Sequence, residues 1–397
     1  MRLLVANHHR SLIGGIESYL AAIIPRLVDA GNEVCFLHEV GSGPGEKLIP
    51  MPASVRSICG DDSDAFSEVM AWKPDIAFIH AMHTLDLQEK IVDAVPTLAF
   101  AHGYYGLCIS GTKTWRAGSA RPCSKHFGWS CLLYFHARRC GGLSPLTMIR
   151  DFQLQRRKLT LLKKCEGVLT HGGQMHREYL AQGIPAERLH ALPHFVEGSL
   201  APQIPREPGP TAKLIYVGRL EELKGGAVLI SALPLIAKTL NRPAHLDVVG
   251  TGRAAGAWKQ LAQSVVSETS SVEFHGWLDA PARDRLLAQS DLLVVPSIWP
   301  EPFGQVGLEA AALGVPAVAF DVGAISGWLR DGVNGHLALA NPPGANGLTD
   351  AIAKSLGNRE HYATLRAGAA KVASEYSSER HVRALIALLE ATLQKRQ

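Results

Sequence analysis

The sequence predicts an α/β protein with two domains, each built around a parallel β-sheet. In both halves of the chain, short apolar runs alternate with segments of helical periodicity, which is typical of a parallel sheet. Between the halves, residues 198–211 contain four prolines and no periodic pattern, as expected of a linker. A chain of 397 residues is also too long for one ordinary core. We therefore expect a first domain at 1–197, a linker at 198–212 and a second domain at 213–377.

The positions of the apolar runs give the individual elements. Each predicted strand is a short, mostly apolar run, and each predicted helix carries apolar residues at helical spacing. In the first half the predicted strands are 3–6, 33–37, 76–79, 97–100 and 167–170, with a helix at 16–30. In the second half they are 213–217, 245–249, 272–274, 291–295 and 317–320, with helices at 227–239, 305–313 and 378–397.

Two glutamates stand out in the segment WPEPFGQVGLEAAALGVP at residues 299–316. Glu301 lies in a turn after an apolar strand, and Glu309 lies near the start of an alanine-rich helix. Ligands usually bind where the strands of a parallel sheet end, and carboxylates accept hydrogen bonds from hydroxyl groups. Taken alone, however, the two acids are equally well explained as a turn residue and a partner of the helix dipole.

Basic residues and glycines occur in similar places. Arg219 offers a planar fork for a diphosphate and Lys224 a compact charge, and both follow the predicted strand at 213–217. Gly218 would admit close backbone approach. In the first domain, Gly14 and Gly15 precede a helix, whose N-terminal N–H groups can hold an anion. The simpler alternative for the two basic residues is a solvated surface charge.

Together these motifs resemble the donor site of retaining GT-B glycosyltransferases of family four. The resemblance implies two Rossmann-like domains that face a central cleft, with the C-terminal helix at 378–397 crossing back to the first domain. Several motifs in one order, far apart in the chain, are more specific than one short match. They are Glu301-Pro302-Phe303-Gly304 with Glu309, Arg219 with Lys224, and Gly14-Gly15.

The resemblance implies four catalytic residues. Arg219 and Lys224 would bind the diphosphate and stabilise the leaving group, while Glu301 would contact hydroxyls of the transferred sugar. His102, after the strand at 97–100, matches the histidine that faces the donor sugar, although a histidine that caps a buried strand end is an alternative. Glu309 would bind the ribose hydroxyls. The residues expected to bind the donor are Gly14, Gly15, Gly218, Phe303, Gly304 and Glu309.

The resemblance also implies the reaction. A hexose-type sugar would move with retention from a UDP- or GDP-sugar to a glycan or lipid-linked acceptor, in cell-envelope or exopolysaccharide synthesis. No Asp-x-Asp stands at a strand end to clamp a metal-bound nucleotide, so we expect a metal-independent transfer without a cofactor. Alternatives are a catalytically silent GT-B partner that binds nucleotide, and a GT-B phosphorylase or epimerase. The base, the sugar and the acceptor stay open, with Asn7, His8 and His9 as candidates for the acceptor side.

Charge is concentrated in one segment. Residues 108–165 contain twelve Lys and Arg and one acid, although the net charge of the whole chain is only +4. Such a surface would attract an anionic membrane or a lipid-diphosphate acceptor. Within it, residues 150–164 could form a basic amphipathic helix on a membrane, or a core helix with a solvated basic face. No nucleic acid partner is expected.

The remaining indications concern location and cysteine chemistry. The chain starts with an apolar strand rather than a signal peptide, so we expect a cytoplasmic protein, peripheral on the inner face of the plasma membrane. Four of its seven cysteines lie between residues 108 and 140, within an insertion at about 104–165. They could be packed thiols, one or two disulfides, or a zinc site, although their spacing is wider than in zinc fingers. These four are Cys108, Cys123, Cys131 and Cys140.

Overall fold

The structure, a computed structural model, describes residues 1–43, 45–60, 64–118, 120–197, 207–340 and 342–395. The chain divides into two compact units. Unit 1 comprises Met1–Thr112, Lys125–Pro193 and Glu379–Gln397, and unit 2 comprises Lys113–Ser124 and His194–Ser378. Lys113–Ser124 therefore belongs to unit 2, although it lies within the predicted first domain. Most of the predicted linker, residues 198–206, lies outside the described residues.

Two parallel sheets organise the described part of the chain. The strands are β1 (Arg2–His9), β2 (Glu33–Val40), β3 (Arg56–Cys59), β4 (Ile76–Ile79), β5 (Thr97–Phe100), β6 (Thr114–Trp115), β7 (Arg121–Pro122), β8 (Gly167–Thr170), β9 (Leu189–Ala191), β10 (Ala212–Val217), β11 (Ala244–Val249), β12 (Ser270–Gly276), β13 (Leu292–Val295), β14 (Ala317–Phe320) and β15 (Gly335–Ala338). In unit 1 the strand order is β3-β2-β1-β4-β5-β8-β9, and in unit 2 it is β12-β11-β10-β13-β14-β15. Strands β6 and β7 form a small antiparallel pair.

Helices connect most of these strands, as parallel pairing requires. None of the described helices is long and apolar enough to cross a membrane. The helices are α1 (Gly15–Asp29), α2 (Ala65–Trp72), α3 (Leu85–Ala94), α4 (Ser130–Tyr134), α5 (Pro145–Lys164), α6 (Gly173–Ala181), α7 (Gly226–Leu240), α8 (Ala255–Val265), α9 (Ala280–Gln289), α10 (Val306–Ala312), α11 (Ala345–Leu356), α12 (Arg359–Ser374) and α13 (Ser378–Gln394).

The structure confirms the predicted α/β class. The strands predicted at 76–79, 97–100, 167–170 and 317–320 have the observed bounds, and all their residues are buried, as in strands covered on both faces. One expectation was wrong. Asn7, His8 and His9 do not follow the first strand, because β1 continues to pair with β2 as far as His9 and Val40.

The C-terminal helix α13 belongs to unit 1. Its buried Leu385 and Leu389 supply the apolar face that the sequence predicts. His381 lies in its first turns, where its Nε2 is 2.9 Å from the hydroxyl of the buried Tyr19 on α1. Lys395 donates to the carbonyl of Glu187 at 2.9 Å. Apolar packing and polar contacts, including one of 2.9 Å between His381 Nδ1 and the carbonyl of Pro193, therefore hold this helix to the rest of unit 1.

The strand order determines where polar loops converge. In each sheet the order reverses beside the first strand, between β1 and β4 in unit 1 and between β10 and β13 in unit 2. At such a point the connections leave on opposite faces, which opens a crevice beyond the strand ends. In unit 2 the residues after β10 and β13 are therefore the ones expected to face a ligand.

These two loops of unit 2 are in direct contact. The N–H of Ile298 donates to the carbonyl of Leu223 at 3.0 Å. Gly225 has a φ of 72°, and a Cβ there would lie 1.8 Å from the carbonyl oxygen of Pro296. Only glycine combines this left-handed backbone with so close an approach. The chain after β10 is thereby held against the chain after β13.

We predict that Gly225→Ala destabilises unit 2. A left-handed alanine is strained, and its methyl group would overlap the Pro296 carbonyl, so the free energy of unfolding should fall by at least about 2 kcal/mol. Urea denaturation measures this change. The matched control is Gly256→Ala in α8, where a Cβ meets nothing within 4 Å. That control should be neutral or stabilising by up to about 1 kcal/mol. Equal effects of the two substitutions would contradict the prediction.

Candidate functional site

Arg219 follows β10 in the loop that the sequence predicts to bind a diphosphate. Its carbonyl accepts a hydrogen bond from the Tyr216 hydroxyl at 2.7 Å, which fixes the backbone of the loop. Its side chain is exposed and has no ion-pair partner among the described residues. A Cβ on Gly250 would lie 1.9 Å from the carbonyl oxygen of Gly218, so the neighbouring loop packs closely against this turn. The guanidinium is thus displayed from a rigid backbone.

Lys224 and Glu301 form an ion pair between the two loops. The Nζ of Lys224 is 2.6 Å from Oε1 of Glu301. Trp299 Nε1 donates to the other carboxylate oxygen, Oε2, at 2.6 Å. The ammonium also lies 5.2 Å from the centroid of the Trp299 ring, within cation–π range. The structure therefore brings two predicted catalytic residues together, 77 positions apart in the chain.

This arrangement restrains both charged groups. The Glu301 side chain is only 8% exposed, so its charge needs the two partners that it has. The Lys224 side chain is 20% exposed and can meet an incoming ligand. Oε1 of Glu301 accepts a hydrogen bond from Lys224, and Oε2 accepts one from Trp299. Glu301 therefore orients Lys224, in addition to making the sugar contact predicted for it.

The turn after Glu301 is supported by a buried tryptophan. Trp328 Nε1 donates to the carbonyl of Phe303 at 2.6 Å, and the Phe303 ring is itself buried. Gly304 has a φ of 85°, where a Cβ would lie 3.0 Å from Cδ1 of Ile325. Buried residues of the hydrophobic core, Trp328 and Ile325, therefore support the backbone that is predicted to orient the donor sugar.

Glu309 lies near the beginning of α10, as the sequence predicts. Its Oε2 is 3.1 Å from the NH1 atom of Arg283 on α9. Burial raises the pKa of this carboxyl group, although Arg283 opposes the rise, and the nearby acids Asp284 and Glu197 add to it. The side chain stays 26% exposed, so hydroxyl groups of a ligand can reach its oxygens.

In unit 1, the glycine pair begins α1. Gly14 is the N-cap and Gly15 the first helical residue, and both are exposed. Glu17 occupies the first turn and is buried; its Oε1 accepts from Asn7 Nδ2 at 3.1 Å. A carboxylate therefore already complements this helix N-terminus from the protein side. Any further anion would approach the exposed glycines.

His102 is held by a second histidine. The Nε2 of His102 is 2.8 Å from Nδ1 of His80, and their rings stack with centroids 5.1 Å apart. Burial lowers the pKa of His80 to about 3 and that of His171 well below its ordinary value. His80 and His171 are therefore neutral near pH 7. His102 is half-buried beside them, where its neighbour His80 can orient the imidazole ring.

A recess of about 450 Å³, including its part open to solvent, lies in unit 1 near the ends of β4 and β5. Its lining includes His83, Tyr105 and Lys158. Lys158 comes from α5, lies 5.1 Å from the centre of the Tyr105 ring, and has its pKa lowered by burial. The His8 ring stacks on His83 at 3.8 Å, and His8 Nδ1 is 2.6 Å from Oε2 of Glu39.

The structure does not support the zinc alternative for the cysteines. Cys108, Cys131 and Cys140 belong to unit 1, and no group with metal-ligand geometry among the described residues contains a cysteine. All the cysteines, Cys123 included, are free thiols. Cys131 and Cys140 pack against a small apolar cluster that contains Phe135. For Cys131 and Cys140 the structure shows packed thiols, one of the alternatives that the sequence left open.

Several residues of this site escaped the sequence analysis. Trp299 and Arg283 bind the two glutamates, and His80 binds His102. For His80 a signal existed, since β4, β5 and β8 are adjacent and each is followed within two residues by histidine: His80, His102 and His171. Nothing in the spacing of Arg283 or Trp299 distinguishes them from other polar and aromatic residues.

Comparison with known proteins finds a family model that matches part of unit 2. Residues 211–358 match the family model described as Glycosyl transferases group 1. The phosphatidyl-myo-inositol mannosyltransferase of Mycobacterium leprae is 33% identical over 177 residues, which cover 44% of this chain and 46% of that protein, less than half of its length. The glycogen synthase of Mycobacterium tuberculosis is 27% identical over 365 residues, covering 84% of this chain and 81% of that protein.

A solved structure agrees over a longer range. The Anabaena protein HepE, in complex with UDP, superimposes with a TM-score of 0.69 at 18% identity, covering 98% of this chain and 100% of that one. At this identity the likeness concerns the fold. The chain therefore has the GT-B fold expected from the sequence.

Proposed function

We propose that this chain is a retaining, metal-independent hexosyltransferase, because residues 211–358 match the family model of glycosyl transferases group 1 and the chain has the GT-B fold. Its donor would be a UDP- or GDP-sugar, and its acceptor a glycan or lipid-linked sugar of the cell envelope or an exopolysaccharide. The relatives named above include a mannosyltransferase, and HepE was solved with UDP, which supports a nucleotide-sugar donor. The observation that carries the proposal is the Lys224–Glu301 ion pair.

The proposed chemistry uses the charges of unit 2. The bond between the anomeric carbon and the diphosphate oxygen breaks, and negative charge accumulates on the leaving diphosphate. Arg219 and Lys224 stabilise that charge because they are already positioned before reaction. The acceptor oxygen attacks the same face of the sugar, and its proton passes to the leaving phosphate. No protein nucleophile and no metal are needed in this sequence of steps.

The remaining site residues hold the substrates. Glu309, near the start of α10, would bind the vicinal hydroxyls of the ribose, since a carboxylate can accept from both. Gly218, Phe303 and Gly304 would line the donor with backbone amides, and Gly14 with Gly15 would approach its phosphates. His102 would hydrogen-bond the transferred sugar. In unit 1, the recess beside His83 and Lys158 is the candidate surface for the acceptor.

We also propose that unit 1 binds an anionic membrane at the inner face of the plasma membrane. In the C-terminal half of α5, Arg157 lies 2.5 Å from Asp86 and Lys164 lies 2.9 Å from Glu89, so these charges are paired. The beginning of α5 and the chain before it differ in that they expose apolar side chains. Five large apolar residues in this stretch of chain are between 46% and 86% exposed, and we call them the apolar patch: Trp129, Leu133, Leu143, Leu146 and Ile149.

Basic residues accompany the apolar patch. Arg138, Arg139 and Arg150 come from the same stretch of chain, in which the one acid, Asp151, is paired with Arg150 at 3.0 Å. Apolar side chains that enter the headgroup boundary, with Arg and Lys beside them, are typical of interfacial membrane binding. This surface would hold the acceptor side of the enzyme near lipid-linked substrates.

We predict that Lys224→Ala and Arg219→Ala each lower kcat/KM by roughly 100- to 1000-fold, because each removes about 3–4 kcal/mol of electrostatic stabilisation. The measurement is nucleotide release from a panel of UDP- and GDP-sugars, with cell-envelope extract as acceptor. The matched control is Lys238→Ala on the exposed face of α7, which should be as active as the wild type. Nucleotide binding without turnover above the Lys224→Ala level would favour the silent partner instead.

We predict that the double variant Leu143→Asp/Leu146→Asp loses membrane binding. Both side chains are at least 79% exposed, so folding should be unaffected, while removal of two inserting leucines should lower partitioning at least tenfold, at about 1.5–3 kcal/mol each. The measurement is flotation with phosphatidylcholine vesicles with and without phosphatidylglycerol. The control is Leu339→Asp in unit 2, also 80% exposed. Equal flotation of variant and control, or none for the wild type, would contradict the proposal.

A further inference from the structure

A second polar cluster lies on two strands of unit 2 rather than in its loops. His245 and Asp247 alternate on β11, and Glu273 and His275 alternate on β12. Parallel pairing places Asp247 opposite Glu273. Alternate residues of a strand share a face, and so do paired residues, so His245, Asp247 and Glu273 occupy one face of the sheet. The strand pairing shifts at His275, and the contact of His275 with Asp247 brings its ring to the same cluster. The hydrophobic core lies on the other face, where β11 contributes Leu246.

Both histidines of the cluster contact one carboxylate oxygen. His275 Nε2 is 2.6 Å and His245 Nε2 is 3.3 Å from the same Oδ1 atom of Asp247. His275 Nδ1 is 3.8 Å from Oε1 of Glu273. One ligand atom each from His245, Asp247 and Glu273 lies within 4.8 Å of the other two. Two imidazoles and two carboxylates therefore lie around one small volume.

This spacing suits a metal ion. Zinc bonds of about 2.0–2.2 Å to nitrogen and oxygen place ligand atoms roughly 3–4 Å apart. A small movement of the three side chains would reach that geometry. The Glu273 side chain is 64% exposed, which leaves an open path from solvent. The Asp247 side chain is only 9% exposed, which gives the cluster a fixed, buried anchor.

The surroundings have the supporting contacts of a metal site. A histidine that binds metal through one ring nitrogen usually holds a hydrogen bond at the other. His245 Nδ1 is 2.8 Å from the hydroxyl of Ser271, which leaves Nε2 toward Asp247. His275 in turn contacts the Asp247 carboxylate and orients it. These contacts support the ligand geometry independently of the three ligands themselves.

We propose that His245, Asp247 and Glu273 bind a zinc ion, with Ser271 and His275 orienting two of the ligands. An imidazole with two carboxylates is a donor set that zinc accepts, and water would complete four-coordination. The ion would join β11 to β12, the edge strand of the sheet. It would act as a structural cross-link and would take no part in the metal-independent transfer proposed above.

The experiment measures zinc bound to untagged, full-length protein. Purified protein is stripped with chelator, dialysed against buffered free Zn²⁺, and analysed for bound metal per chain. The wild type should retain one equivalent of zinc per chain. Glu273→Gln and His245→Gln should each bind zinc at least about tenfold more weakly, since the loss of even a supporting contact lowers metal affinity by about 10–100-fold. Because Glu273 is exposed, its variant should fold normally.

Two controls identify the site. His361→Gln removes one histidine of a separate pair in unit 2, where His336 Nε2 and His361 Nε2 are 2.9 Å apart, and should leave zinc binding unchanged. Substitution by Co²⁺ should give visible bands without thiolate charge transfer, which excludes binding by the cysteines. The proposal is overturned if the wild type retains no zinc, or if Glu273→Gln and His245→Gln retain it with unchanged affinity.

Discussion

The ion pair between Lys224 and Glu301 is the contact on which the candidate donor site depends. It joins the loop after β10 to the loop after β13, across the point where the strand order of unit 2 reverses. A backbone hydrogen bond from Ile298 to Leu223 and the close approach at Gly225 reinforce the same junction. A buried carboxylate tolerates such a position only with its charge paired. The position of Lys224 therefore follows from the way the two loops pack.

The two units place different chemistry at equivalent strand ends. In unit 2 charged side chains follow the strands, and two of them, Lys224 and Glu301, are paired. In unit 1 His80 and His171 follow β4 and β8, and burial lowers the pKa of both, that of His80 to about 3. Neutral imidazoles can orient hydroxyl groups without attracting phosphate. This division agrees with a proposed donor diphosphate on unit 2 and sugar or acceptor groups on unit 1.

Much of the fold followed from local pattern, while the contacts within the site did not. The strands at 76–79 and 97–100 were predictable because buried apolar runs end sharply at polar or small residues. The sequence indicated that Lys224 and Glu301 both mattered, but their contact depends on packing between loops 77 positions apart. The role of Trp299 was not predictable, because its hydrogen bond to Glu301 and its ring contact with Lys224 both depend on the packing of the two loops. The grouping of Lys113–Ser124 with unit 2 likewise depends on tertiary packing.

The most direct measurement is a double-mutant cycle on nucleotide affinity by titration calorimetry, with Lys224→Ala, Glu301→Gln and both together. UDP and GDP are tested in parallel, and the tighter ligand is used. Neither carries the transferred sugar that Glu301 is proposed to contact, so Glu301 is expected to influence the binding of these nucleotides through Lys224. The account predicts that Glu301→Gln changes affinity in the wild type but not in Lys224→Ala, a coupling of about 1 kcal/mol or more. Additive effects of the two substitutions would contradict it.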